Sequence, residues 1–115
     1  IAKTKQMADG KDLIHLYQDP KDVTKNAHVL YTDTWVSMGQ EAEKEARQQA
    51  FRGFQINNDI LKLAKDDVRV MHFLPAHRGV EITDEVIDGP HSVVYDQAEN
   101  RLHVEKALLK LLLRK

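Results

Sequence analysis

Apolar and polar positions along this chain alternate between a period near two and a period near 3.6, and each change of period marks an element. Asp12-Leu13-Ile14-His15-Leu16-Tyr17 predicts a first strand. Ahead of it, Ile1, Ala2, Met7 and Ala8 lie among lysines, which predicts a short amphipathic helix over residues 1–9 that Asp9-Gly10 would stop. After it, Asp19-Pro20 offers an N-cap followed by a proline suited to the first helical position, and a short helix is expected over 20–26. The apolar run His28-Val29-Leu30-Tyr31-Thr32 is the second strand, over 28–33, and it ends on the carboxylate of Asp33.

A polar turn follows, Asp33-Thr34-Trp35-Val36-Ser37-Met38-Gly39-Gln40, in which Ser37 and Gln40 have the spacing of a capping box. Glu41-Ala42-Glu43-Lys44-Glu45-Ala46-Arg47 is rich in helix formers, with acids in its first turn, and predicts a helix to about residue 51. Gly53 interrupts it. Asn57 or Asn58 can cap a second helix that carries Ile60, Leu61, Leu63 and Ala64 on one side and closes at Asp66-Asp67. A third strand over 68–73 leads to His72-Phe73-Leu74-Pro75. Residues 76–91 form a long connection with one helical turn at 83–87, started by Thr83 and ended by Asp88-Gly89-Pro90. A fourth strand is expected over 92–96 and a last helix over 100–114. That helix places Val104, Ala107, Leu108, Leu111 and Leu112 on one stripe, widened by Leu109 and Leu113. So wide a stripe predicts contact with a second domain or a second copy of the chain.

Four strands alternating with helices describe an α/β fold: a three-layer sandwich with a mostly parallel four-stranded sheet, Rossmann- or flavodoxin-like, with right-handed crossovers. Ligands of such sheets lie beyond the carboxyl ends of the strands. The two turns that begin at Asp33 and at His72 are therefore the places to look for chemistry.

Composition narrows the classes of function. The 115 residues fit one domain that can bury roughly two-thirds of its unfolded surface. Seventeen Lys and Arg against eighteen Asp and Glu leave a net charge of −1, which argues against a nucleic-acid partner. With no cysteine, disulfides and thiolate metal sites are excluded. No apolar stretch approaches the ~20 residues that span a bilayer, and Ile1-Ala2-Lys3-Thr4-Lys5 lacks the apolar core of a signal peptide. No membrane partner and a cytoplasmic location are the expectation. His72 and His77 stand five apart across a proline and, with His103, form no metal-binding pattern. Neither a metal nor a cofactor is implied.

Together the Asp-x-Trp-x-Ser-Met-Gly segment at 33–39, the His-x-Leu-Pro segment at 72–75, Thr83-Asp84-Glu85-Val86-Ile87-Asp88-Gly89-Pro90 and Glu99-Asn100-Arg101-Leu102-His103 resemble the ornithine-binding half of ornithine carbamoyltransferases. The likeness runs in order over nearly the whole chain. Aspartate carbamoyltransferases lack the Ser-Met-Gly signature, which points to ornithine. The resemblance implies that Asp33 takes the α-ammonium of L-ornithine, that Ser37 and Met38 present hydroxyl and backbone groups to its amino-acid head, and that Leu74 offers a backbone carbonyl to the carbamoyl amine. It places Arg101 toward carbamoyl phosphate.

Two departures accompany the match. The family's His-Cys-Leu-Pro reads His72-Phe73-Leu74-Pro75, with a ring where a cysteine contacts ornithine, so ornithine binding is expected to be weak or lost. The Ser-x-Arg-Thr loop that cradles carbamoyl phosphate is not in the sequence, nor are the first strands of the family's ornithine domain. The expectation is a truncated ornithine-binding domain over 1–115, inactive alone for want of its carbamoyl-phosphate domain. Its sheet would then close the gap left by two missing strands or exchange an element with another copy as a homodimer.

Each site residue also has a plainer structural reading. Asp33 can be a strand-end carboxylate that caps a turn, Ser37 a cap paired with Gln40, and Met38 and Trp35 packing residues. Arg101 can pair Glu99 or Asp96, and His72, beside Arg78, can position its loop. The Lys/Glu face at 41–48 reads as solvated helix surface.

Overall fold

The computed structural model describes Thr4 and residues 13–114 apart from Met38. Local chemistry starts its helices. The Lys21 N–H donates to Asp19 Oδ1 at 2.8 Å with Pro20 in the first helical position, which begins α1 (Pro20–Thr24). Buried Thr24 then donates its hydroxyl back to the Pro20 carbonyl at 2.6 Å. Strand β1 (Val29–Thr32) follows, and a 3₁₀ turn (Glu41–Glu43) runs into α2 (Lys44–Ala50). Asn57 caps α3 (Asn58–Leu61), its Oδ1 accepting the N–H groups of Asp59 and Ile60, both at 3.1 Å. Strand β2 (Arg69–His72), the single turn α4 (Asp84–Ile87) and the long α5 (Val94–Leu112) complete the order. Thr83 holds the N-cap position of α4 without a side-chain bond to it.

The two strands are parallel, with Val29 opposite Arg69, Leu30 opposite Val70, Tyr31 opposite Met71 and Thr32 opposite His72. Because side chains alternate across a strand, Leu30 and Val70 share the inward face. There they meet Ile56, Ile60, Val68, Ile82, Val86, Ile87 and Val94, the buried apolar core. The core thus lies where β1 and β2 meet α3, α4 and the first turn of α5.

Among the described residues the sheet has two paired strands where four were expected. Leu13–Tyr17 form no strand, and Leu13, Leu16 and Tyr17 are exposed. A strand exists only by pairing, and among the described residues none pairs with this segment as a strand. Among the described residues the outer edge of β1 is therefore unpaired. An apolar cleft of about 580 Å³ follows that edge, lined by Val23, Ala27, Val29, Tyr31 and Phe54, with Asp33 at its end.

The expected fourth strand is reduced to one parallel bridge, Ser92 with Val70. Val70 N–H donates to His91 O at 2.8 Å and Val93 N–H to Val70 O at 2.9 Å. Helix α5 then begins at Val94 instead of near residue 100, so residues 94–96 are helical. Asp96 in the first turn and the helix formers behind it favour the helix over a strand there. Gln97 Oε1 accepts the His72 N–H at 3.1 Å, serving β2 where another strand would have.

The leucine stripe of α5 is not buried: Leu108, Leu111 and Leu112 are all exposed, and Val94 is the helix's buried residue. No helix among the described residues is long and apolar enough to cross a membrane. Of the helix expected over 1–9 only Thr4 is described, and it is helical; the rest of that helix and the Met38 position fall outside the described residues.

Candidate functional site at the carboxyl ends of the two strands

Parallel strands in register release their chains at the same end of a sheet. Thr32 lies opposite His72, and the Phe73 N–H donates to Thr32 O at 3.3 Å, so the turns that start at Asp33 and Phe73 leave side by side. They are also joined beyond the sheet: Thr34 Oγ1 and His77 Nδ1 are 2.9 Å apart. Thr34 Oγ1 also donates to Val36 O at 3.2 Å, which makes the hydroxyl the acceptor toward an Nδ1–H of His77.

In the first turn Asp33 is exposed, and its Oδ1 accepts the Thr34 N–H at 2.7 Å. One carboxylate oxygen shapes the turn, and the other carries no bond among the described residues. Ser37 N–H donates to Gln40 Oε1 at 3.3 Å and Gln40 N–H to Ser37 O at 3.1 Å, the reach-back half of a capping box. Exposed Ser37 opens onto the 3₁₀ turn, and α2 starts only at Lys44. Trp35 is half-buried and packs its ring 5.9 Å from that of Phe51, which meets Phe54 edge-on at 6.3 Å. Its place is therefore an anchor for the turn.

The second turn is held from below. His72 is buried, its Nδ1 accepts the Leu74 N–H at 2.8 Å, and its Nε2 lies 3.0 Å from Oε1 of fully buried Glu81. Leu74 has φ +60, a left-handed conformation that a residue with a Cβ adopts at a cost of about 1–2 kcal/mol, and its peptide bond to Pro75 is cis. The bond to His72 helps to hold it there. Phe73, by contrast, is half exposed, and the Arg101 guanidinium sits over its ring at 5.4 Å from the centroid.

The pairing expected of Arg101 is therefore replaced. Arg101 does not engage Glu99 or Asp96; Glu99 meets His103 at 3.4 Å, and Arg101 stacks on Phe73. His72 does position its loop, through the Leu74 N–H and with Glu81 as its partner. Arg78 instead forks onto Asp88 and reaches Asp84 at 2.8 Å, tying the turn to α4. These bonds, that of Asp88 first, push the Arg78 pKa upward, and the Arg78 guanidinium holds the Asp88 carboxyl below its ordinary value. Glu81 was not singled out in the sequence. Its signal is faint: an acid between Val80 and Ile82, nine residues after His72.

The end of the sheet thus collects an exposed carboxylate suited to an ammonium, a guanidinium suited to an anion, and a turn whose backbone is fixed by buried bonds. A family model for the Asp/Orn binding domain of aspartate/ornithine carbamoyltransferases matches residues 1–112. The chain belongs to this carbamoyltransferase family. It is similar to the ornithine carbamoyltransferase of Archaeoglobus fulgidus, 62% identical over 102 residues, 89% of this chain and 33% of that protein. Among solved structures it resembles the ornithine carbamoyltransferase of Pyrococcus furiosus, with a TM-score of 0.73 and 63% identity over 79% of this chain and 29% of the other. The anabolic enzyme of Campylobacter jejuni gives a TM-score of 0.84 at 40% identity over 96% of this chain and 36% of the other. The carbamoyltransferase chain spans about a third of the length of the curated relatives it matches. What it matches in them is the ornithine-binding domain.

Proposed function

We propose that this chain is the amino-acid-binding half of an ornithine carbamoyltransferase and holds L-ornithine for attack on carbamoyl phosphate, the products being L-citrulline and phosphate. The observation that supports this most is the meeting of the two motif turns at the carboxyl ends of β1 and β2, joined by the 2.9 Å Thr34–His77 contact. In this reading Asp33 takes the α-ammonium, Ser37 and Met38 hold the amino-acid head, and the Leu74 carbonyl receives the carbamoyl amine. Arg101 faces the carbamoyl phosphate, and the neutral δ-amine of ornithine attacks its carbonyl carbon.

Such a transfer needs orientation, stabilisation of the tetrahedral oxyanion and cations on the departing phosphate, with little covalent chemistry by the protein. The chain supplies orientation and one cation. Its partner is a carbamoyl-phosphate domain, and by itself the chain does not turn over. Phe73 stands in the place of the family's cysteine, with the Arg101 guanidinium over its ring, which weakens the ornithine site. Citrulline formation tests the reading: none by this chain alone, and some when a carbamoyl-phosphate-binding half is added. Absence of product in both cases, with both halves folded, counts against it.

A second reading is a fold-only domain that associates as an element-exchanged homodimer. The open edge of β1 and the exposed Leu108, Leu111 and Leu112 of α5 favour it. A mass in solution that stays monomeric at every concentration rules out exchange.

A further inference from the structure

We infer that Glu81 is a positioning residue that locks the two turns of the site to each other. Its side chain is entirely buried, yet it belongs to no element. A carboxylate is taken out of water only at considerable cost, so what it holds there is informative. Oε1 accepts two hydrogen bonds, one from the His77 backbone N–H and one from the His72 ring. Oε2 has no partner among the described residues.

Each of the two bonds leads to a different turn. His72 Nδ1 accepts the Leu74 N–H, so the ring proton is on Nε2 and is donated to Glu81. Glu81 thereby receives the Nε2–H and fixes the tilt of the imidazole, and the imidazole holds Leu74 in its left-handed conformation. The second bond fixes the backbone of His77, whose ring reaches Thr34 Oγ1, next to Asp33. One buried oxygen thus governs both Phe73-Leu74-Pro75 and Asp33-Thr34, which have no other side-chain bond between them among the described residues. The consequence for ligand binding rests on the ornithine reading above; the coupling of the turns does not.

The test has an arm without ligand and an arm with it, on the ¹⁵N-labelled chain. Glu81→Leu removes both acceptors at similar size, and Glu81→Gln restores an acceptor. In Glu81→Leu the His72 Nε2–H loses its hydrogen-bonded shift, and amides at 33–37 and 72–77 move together. Glu81→Gln returns them toward their original positions. With L-ornithine as the probe, Glu81→Leu binds about tenfold more weakly or worse, and Glu81→Gln stays within about threefold. A folded Glu81→Leu with the His72 Nε2–H shift and both sets of amides unmoved overturns the inference. Should Glu81→Leu not fold, His77→Ala cuts only the arm to Thr34, and amides at 33–37 that stay in place overturn it equally. If the original chain does not bind L-ornithine but the amides respond as described, the coupling stands and the ornithine reading falls. If the chain binds and both Glu81 variants bind alike, the reverse holds.

Discussion

Replacing Phe73 by cysteine should tighten L-ornithine binding while taking little from the stability of the fold. Half of the Phe73 surface is already exposed, so only part of the ~1.5–3 kcal/mol attached to burying such a side chain is at stake. The stacking of Arg101 over the ring, at 5.4 Å, adds about 0.5–1 kcal/mol at an exposed position. Folding should therefore lose about 1–2 kcal/mol in all, visible as a lower urea midpoint with an unchanged slope. Binding should gain more. A ring standing where a smaller side chain meets the ligand acts like an overpacked residue, and relieving that is worth about 1–3 kcal/mol, or roughly five- to 150-fold in affinity. Calorimetric titration of L-ornithine into both chains measures the gain, and Phe73→Ala separates room from sulfur. A folded Phe73→Cys chain that binds no more tightly than the original would refute the reasoning.

Three other perturbations test the frame. Ile82→Ala empties a fully buried core position and should cost about 2–5 kcal/mol in urea unfolding; a loss below about 1 kcal/mol would mean that the core is elsewhere. Gly89→Ala puts a Cβ 2.5 Å from the Glu85 carbonyl oxygen and should destabilise by about 1–3 kcal/mol, whereas a neutral result would mean that α4 ends differently. Asp88 titrates below its ordinary value because Arg78 donates to it, so the stability it contributes is present above the unfolded carboxylate pKa and is lost as pH falls through the lowered folded value. Carboxyl NMR should show that lowered value return to normal in Arg78→Ala; an unmoved Asp88 would deny the pairing.

How far the sequence could be read depended on whether a feature was local. Asp19-Pro20 and Asn57 act through bonds within a few residues, and both helices start where they should. The cores of strands 28–33 and 68–73 could be read because Leu30 and Val70 must face inward. Leu13–Tyr17 has the composition of a strand but pairs with no strand among the described residues, and composition carries no record of pairing. Residues 94–96, expected to end a strand over 92–96, are instead the first turn of α5, where helix formers follow. Within the site, the motif turns were visible as strand ends. Glu81 was not, because its bonds to His72 and His77 depend on a fold-back that no spacing rule describes. The Phe73–Arg101 stack was equally hidden, joining residues from the second turn and from α5.

The central claim, a surviving amino-acid site at Asp33 and the 72–75 turn, is tested most directly by titrating the ¹⁵N-labelled chain with L-ornithine, with Asp33→Ala alongside. The account predicts shifts clustered at residues 33–40 and 72–75 and a loss of ~1.5–3 kcal/mol of affinity in the variant, as befits a charge-assisted bond. Shifts elsewhere, or an affinity that Asp33→Ala leaves unchanged, would contradict it.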